Sequence, residues 1–93
     1  MKYSIHWTSR INDAIADSTQ MSKDVLTATS KFLNHDWGIT CTSDAKLNDE
    51  SLKTGDRILA VYNTCKGKIW INADWVKNPK SKRHIVIMFP NDY

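Results

Sequence analysis

Three sets of side chains in this sequence have residue types that chemistry can use. His35, Asp36 and Cys41 fall close together, and a thiol, an imidazole and a carboxylate are the parts of a nucleophilic site. Asp36, however, stands beside Trp37-Gly38 where a helix pattern stops, and there a carboxylate caps free backbone N–H groups. Asp44, Asp49 and Glu50 are hard oxygen donors of the kind a divalent cation takes, but on a polar helix they read as its solvated face. The third set is Lys77, Lys80, Lys82 and Arg83, with Trp75 beside them. An indole next to cations suits an interface hot spot or a platform for a stacked base. Trp75, Lys77, Lys80, Lys82 and Arg83 are therefore the expected partner-binding surface.

Other constellations do not form. The sequence contains no P-loop, GxGxxG, HExxH or GxSxG pattern, and its three glycines cannot wrap a phosphate with successive N–H groups. Cys41 and Cys65 lack CxxC partners, and with His6, His35 and His84 they give no pair at zinc-ligand spacing. The cysteines are expected to be reduced and partly buried. No metal, no cofactor and no enzymatic activity is expected.

Charge divides along the chain. Residues 1–50 carry five Lys/Arg against seven Asp/Glu, and residues 51–93 carry eight against three, so the overall charge of +3 resides in the second half. A local basic patch admits an anionic partner. Ninety-three residues make one domain, 1–93, with a single small core. Hydrophobic content of 41% and charged content of 25% are globular values. The apolar runs are too short for a membrane span or a signal-peptide core, so a cytoplasmic protein is expected.

The elements that must position these residues follow from periodicity. Tyr3, Ile5 and Trp7 alternate with polar residues, as in a half-buried strand. Thr8 or Ser9 caps a short helix through Ile11, Ala14 and Ile15, ending near Ser18. Ser22 is expected to cap a second helix, Lys23–Asn34, whose Leu26/Phe32/Leu33 stripe enters the core. Ser43 caps a third, polar helix running to about Lys53, with Gly55 beyond its end. From Arg57 the period becomes two: strands are expected over Arg57–Thr64, Lys68–Ala73 and His84–Phe89, joined as an antiparallel meander. Pro79 predicts an extended connection between the last two. The expected fold is α+β, in the order β-α-α-α-β-β-β, with a three- to four-stranded antiparallel sheet packed by helices. Leu59, Val61, Ile69, Ile71, Val86 and Met88, or their immediate neighbours, should face the core with Val25 and the helix stripe. Trp7 or Trp70 should fill it, and Trp37 should pack on the sheet or the third helix.

Several segments together resemble a known family. They are Asp36-Trp37-Gly38, Asn48-Asp49 with Leu52 and Gly55, Arg57-Ile58-Leu59-Ala60-Val61-Tyr62, Gly67-Lys68-Ile69-Trp70-Ile71, and Phe89-Pro90 before Tyr93. The pattern resembles small uncharacterised proteins of bacterial plasmids, phages and other mobile elements, which share DWG, RLLxxY, KIWI and PEEY segments. Ile39–Ser43 departs from it in lacking an acidic run, and Asn72-Ala73-Asp74 stands where Ile-Thr-Glu is usual. The resemblance implies a setting in which small proteins counter host defences, as anti-CRISPR proteins do. The expected function is stoichiometric binding that occludes a host defence nuclease complex, such as a Cas ribonucleoprotein. The alternative is a nucleic-acid-binding regulator using the basic loop 77–83. Mimicry of DNA is disfavoured, because a mimic needs a dense negative surface.

Overall fold

In a computed structural model of the chain, residues 3–78 and 81–93 are described. Three helices pack on one face of a four-stranded sheet, in the order β1 (Tyr3–Trp7), α1 (Ser9–Asp17), α2 (Thr19–Leu33), α3 (Thr42–Thr54), β2 (Ile58–Thr64), β3 (Gly67–Ala73), β4 (Arg83–Met88). A 3-10 turn, Pro90–Asp92, follows. The chain is α+β with its sheet packed by helices. Among the described residues, no helix is long and apolar enough to cross a membrane.

The helix starts are set by hydroxyls. Thr8 is extended and its Oγ1 accepts from Ile11 N, which opens α1. Ser18, also extended, ends α1 and caps α2 by accepting from Met21 N at 3.1 Å. The second helix therefore starts at Thr19, a turn before the expected Ser22 cap. Ser22 itself lies inside, its N–H on Ser18 O. This earlier start makes Met21 a core residue, in a buried row with Val25, Ala28 and Phe32. Leu26 and Leu33, expected in the core, lie on the neighbouring face and are exposed. The third helix starts at Thr42 after Cys41, without a side-chain cap, rather than at Ser43. Gly55 closes it in the left-handed region, φ 87°.

The sheet order is β1-β4-β3-β2. The three later strands form the expected antiparallel meander, with Ile58 opposite Ala73 and Ile71 opposite Ile87. β1 joins the outer side of β4 in parallel, so the sheet is mixed. Its helix-covered face presents Ile58, Ala60, Tyr62, Ile69, Ile71, Ala73, Ile85 and Ile87, all buried. The registers of β2 and β4 are thus one residue from the expected core set. Leu59, Val61 and Val86 are half-buried on the opposite face, away from the three α-helices described, and Met88 is buried there.

The indole in the core is that of Trp37, rather than Trp7 or Trp70. Its ring meets Phe32 edge-on at 5.4 Å and is stacked by His35, and Nε1 donates to Asp49 Oδ1 of α3 at 2.8 Å. Asp36 Oδ1 accepts from Gly38 N, the capping role expected of it. Tyr62 completes the corner by donating to Asp36 O at 2.7 Å. Burial, and then the charge of Asp36, push the Tyr62 phenol well above its ordinary range.

The outer edge of β2 is closed by non-strand groups. Asn48 of α3 donates from Nδ2 to Leu59 O and accepts from Leu59 N, reproducing a strand's two bonds with one side-chain amide. Val61 N donates to Thr40 Oγ1, and Ile39 N donates to Val61 O.

Candidate binding surface

The segment after β3 is held by backbone bonds on alternate residues. Asp74 N donates to His84 O, and Val76 N donates to Gly55 O at 2.8 Å. With residues 74 and 76 bonded to the body of the protein, Trp75 between them is turned outward and is 64% exposed. The left-handed geometry of Gly55 positions its carbonyl for Val76. A Cβ at Gly55 would collide with Val76 O. Lys77 and Lys82 are exposed on the same connection, and Ser81 N donates to Asn78 O. Lys80, expected in this surface, and Pro79, expected to keep the connection extended, lie outside the described residues.

Arg83 does not belong to that surface. It is the first residue of β4 and points to the helix side, where it is fully buried. Its guanidinium donates to Ser51 O in the last turn of α3 and to Asp56 O, both at 2.7 Å. A cation at the carbonyl end of a helix is favourable because that end carries partial negative charge. The sequence places Arg83 in a run with Lys82, but strand alternation sends neighbouring side chains to opposite faces. The exposed group thus comprises Trp75, Lys77 and Lys82.

A second region was not singled out from the sequence. On the open face of the sheet, Tyr93 lies edge-on to Trp70 at 5.8 Å and its hydroxyl accepts from Arg57 Nη1 at 3.2 Å. A groove of about 470 Å³ runs between this face and α3, lined by Ile39, Asp44, Leu47, Arg57, Leu59 and Lys68 among others. Leu47 and Ile39 are exposed apolar residues at its margin. A signal for this face existed: Arg57, Leu59, Val61 and Asn63 form one alternating set with polar ends, whereas Ile58, Ala60 and Tyr62 form the other. Asn72, also on the open face, is buried with its Oδ1 unpaired.

The remaining candidates are occupied by structural roles. The His35 ring lies on Trp37, the Asp36 carboxylate serves the turn, and Cys41 Sγ is 3.6 Å from Ser43 Oγ. Cys41 and Cys65 are both exposed rather than partly buried. Asp49 accepts from Trp37. His6 and His84 are neighbours on the open face, ring centroids 5.9 Å apart. Among the described residues, no three His, Cys, Asp or Glu side chains are grouped so as to hold a metal ion.

Compared with known proteins, the chain matches no family model, no curated protein and no solved structure.

Proposed function

We propose that this chain is a non-enzymatic protein that binds its partner stoichiometrically and acts by covering a surface of it. The observation that carries this reading is the presentation of Trp75, 64% exposed, between two backbone anchors and beside Lys77 and Lys82. A large aromatic side chain fixed at its base loses little freedom on binding, and aromatic anchors dominate interface energies. The lysines select an acidic or nucleic-acid-containing partner surface. The resemblance carried by the Asp36-Trp37-Gly38 and strand segments supplies the setting. In this reading a phage or plasmid protein in the host cytoplasm occludes a defence nuclease complex, such as a Cas effector. The net charge of +3 argues against a DNA mimic.

The open sheet face favours a second reading, a small nucleic-acid-binding regulator. Trp70 and Tyr93 offer ring faces for bases, and Arg57 and Lys68 offer cations for phosphates.

Capture from host lysate, with and without nuclease, tests both. Trp75→Ala and the pair Lys77→Glu with Lys82→Glu should each weaken capture by about tenfold or more. Their melting temperatures should stay within a couple of degrees of wild type, since exposed substitutions fall within about ±0.5 kcal/mol. Capture untouched by either variant removes this surface from the function. A log-linear loss with salt, abolished by nuclease, supports the second reading instead.

A further inference from the structure

The two edges of the sheet differ. β2 is sealed by Asn48, Thr40 and Ile39, whereas β1 is the last strand on its side among the described residues. Thr8 N donates inward to Ile87 O. Backbone direction alternates along a strand, so Ile5 and Trp7 turn their N–H and C=O groups away from β4. Edge strands are ordinarily protected by lysine, proline or a bulge. β1 reads Tyr-Ser-Ile-His-Trp and contains no such residue.

The flank of this edge is apolar. Ile5 is 42% and Trp7 47% exposed. Beside them, α2 carries Ser22, Leu26, Thr29 and Leu33 along one uncharged helical row, with Leu26 68% exposed. Between strand and helix lies a groove of about 250 Å³, lined by Ile5, Trp7, Ile15, Val25 and Leu26 with two small polar residues.

We propose that this edge pairs with the same edge of a second copy of the chain, β1 running antiparallel to β1 across a two-fold axis at Ile5. The strand is self-complementary in that register. Ile5 meets its own copy, each Tyr3 meets the Trp7 of the other chain, and each Ser4 meets a His6. Aliphatic thus opposes aliphatic, aromatic opposes aromatic and polar opposes polar, the pairings that stabilise adjacent strands. Ile5, with its backbone groups directed outward, must occupy a hydrogen-bonded position of the new ladder, and such a pair is compatible with the two-fold. The axis stands perpendicular to the sheet, so both helix layers lie on one side and the two α2 rows approach each other over the joint. That contribution is needed, since a five-residue ladder alone falls short of the roughly 1,200–2,000 Å² that stable interfaces bury. No formal charge in the strand or the α2 row opposes the match. The pairing uses no residue of the Trp75 surface, so either proposal can fail without the other.

Sedimentation equilibrium of the full chain from about 1 to 500 µM, where mass action populates even weak dimers, should show a two-chain species. Leu26→Glu and Ile5→Lys should each raise its dissociation constant about tenfold or more, with the far-ultraviolet circular dichroism unchanged, because each places an unpaired charge in the joint. In a background with Cys41 and Cys65 changed to serine, Ile5→Cys should oxidise to a covalent dimer and Ser4→Cys should not, since only position 5 meets itself. A chain that stays single throughout the concentration range overturns the proposal. So does a dimer that survives both charged substitutions, or one that cross-links through position 4 in preference to position 5.

Discussion

Arg83 and Lys82 are adjacent in the chain and do unrelated things. Lys82 is solvated, while Arg83 supplies donors to two carbonyls where α3 ends. Arg83→Met keeps the stem but takes the guanidinium donor from Asp56 O and leaves Ser51 O with Gly55 N, which should cost about 1–3 kcal/mol in urea unfolding. Lys82→Glu should change stability by no more than about 0.5 kcal/mol. Tyr62 makes a similar point through pH. Its folded pKa lies above the ordinary 10.0, chiefly through burial, and that of Tyr3 is raised for the same leading reason. Below pH 10 the phenols are neutral whether folded or not, and their contribution is intact. Above it the unfolded chain ionises first, so stability falls as pH rises through and beyond 10. Tyr62→Phe should lose about 0.5–1.5 kcal/mol at neutral pH with its hydrogen bond to Asp36 O. Its urea midpoint should then decline less steeply than that of wild type between pH 9 and 11.

At the level of elements, the strands were legible because β-branched residues and period-two alternation mark them directly. The meander's pairing followed from its short links. What the sequence marked only weakly, through the polar ends Arg57 and Asn63, was which alternating set faces the helices. In β2 both sets are largely apolar, and the choice is made at a distance, by Tyr62 reaching the turn at Asp36 and Asn48 bonding across to Leu59. The parallel attachment of β1 was hidden for the same reason, as nothing local to Tyr3–Trp7 specifies its neighbour. The second helix begins one turn before the Ser22 cap because Ser18 and Ser22 are equally good caps in isolation, and the burial of Met21 separates them. Of the expected surface, the exposure of Trp75, Lys77 and Lys82 was legible from their neighbours in the sequence, and the inward turn of Arg83 was not. The end of α3 also governs the Trp75 segment. Gly55→Ala strains a left-handed residue, at about 1–3 kcal/mol, and drives a methyl group into Val76 O. The variant should melt lower and, because Val76 anchors the backbone beside Trp75, should bind partner more weakly despite an intact Trp75 and intact lysines. Thermal melting and partner titration of the same sample check both effects.

Across the whole molecule, exposed apolar residues stand in contrasting settings, Trp75 among lysines and the β1 flank without charge. The excess of basic residues lies in the second half of the sequence, while Ile5, Trp7 and Leu26 form an uncharged flank on the first. The side-chain amide of Asn48 sets a limit on what such a molecule can build. A chain with two open strand edges can add copies at both and grow into a filament, whereas a chain with one can only close into a pair. Asn48 at Leu59, with Thr40 and Ile39 at Val61, fills the backbone valences of this edge and would act as a chain terminator in the proposed pairing. Asn48→Ala would uncover Leu59 N and O, and Thr40→Ala with it would release Val61 N, so the double variant would give the sheet a second adhesive end. The expected result is concentration-dependent light scattering and elongated particles by electron microscopy. The same double variant combined with Ile5→Lys, with one end open and the other charged, should remain in solution as small species.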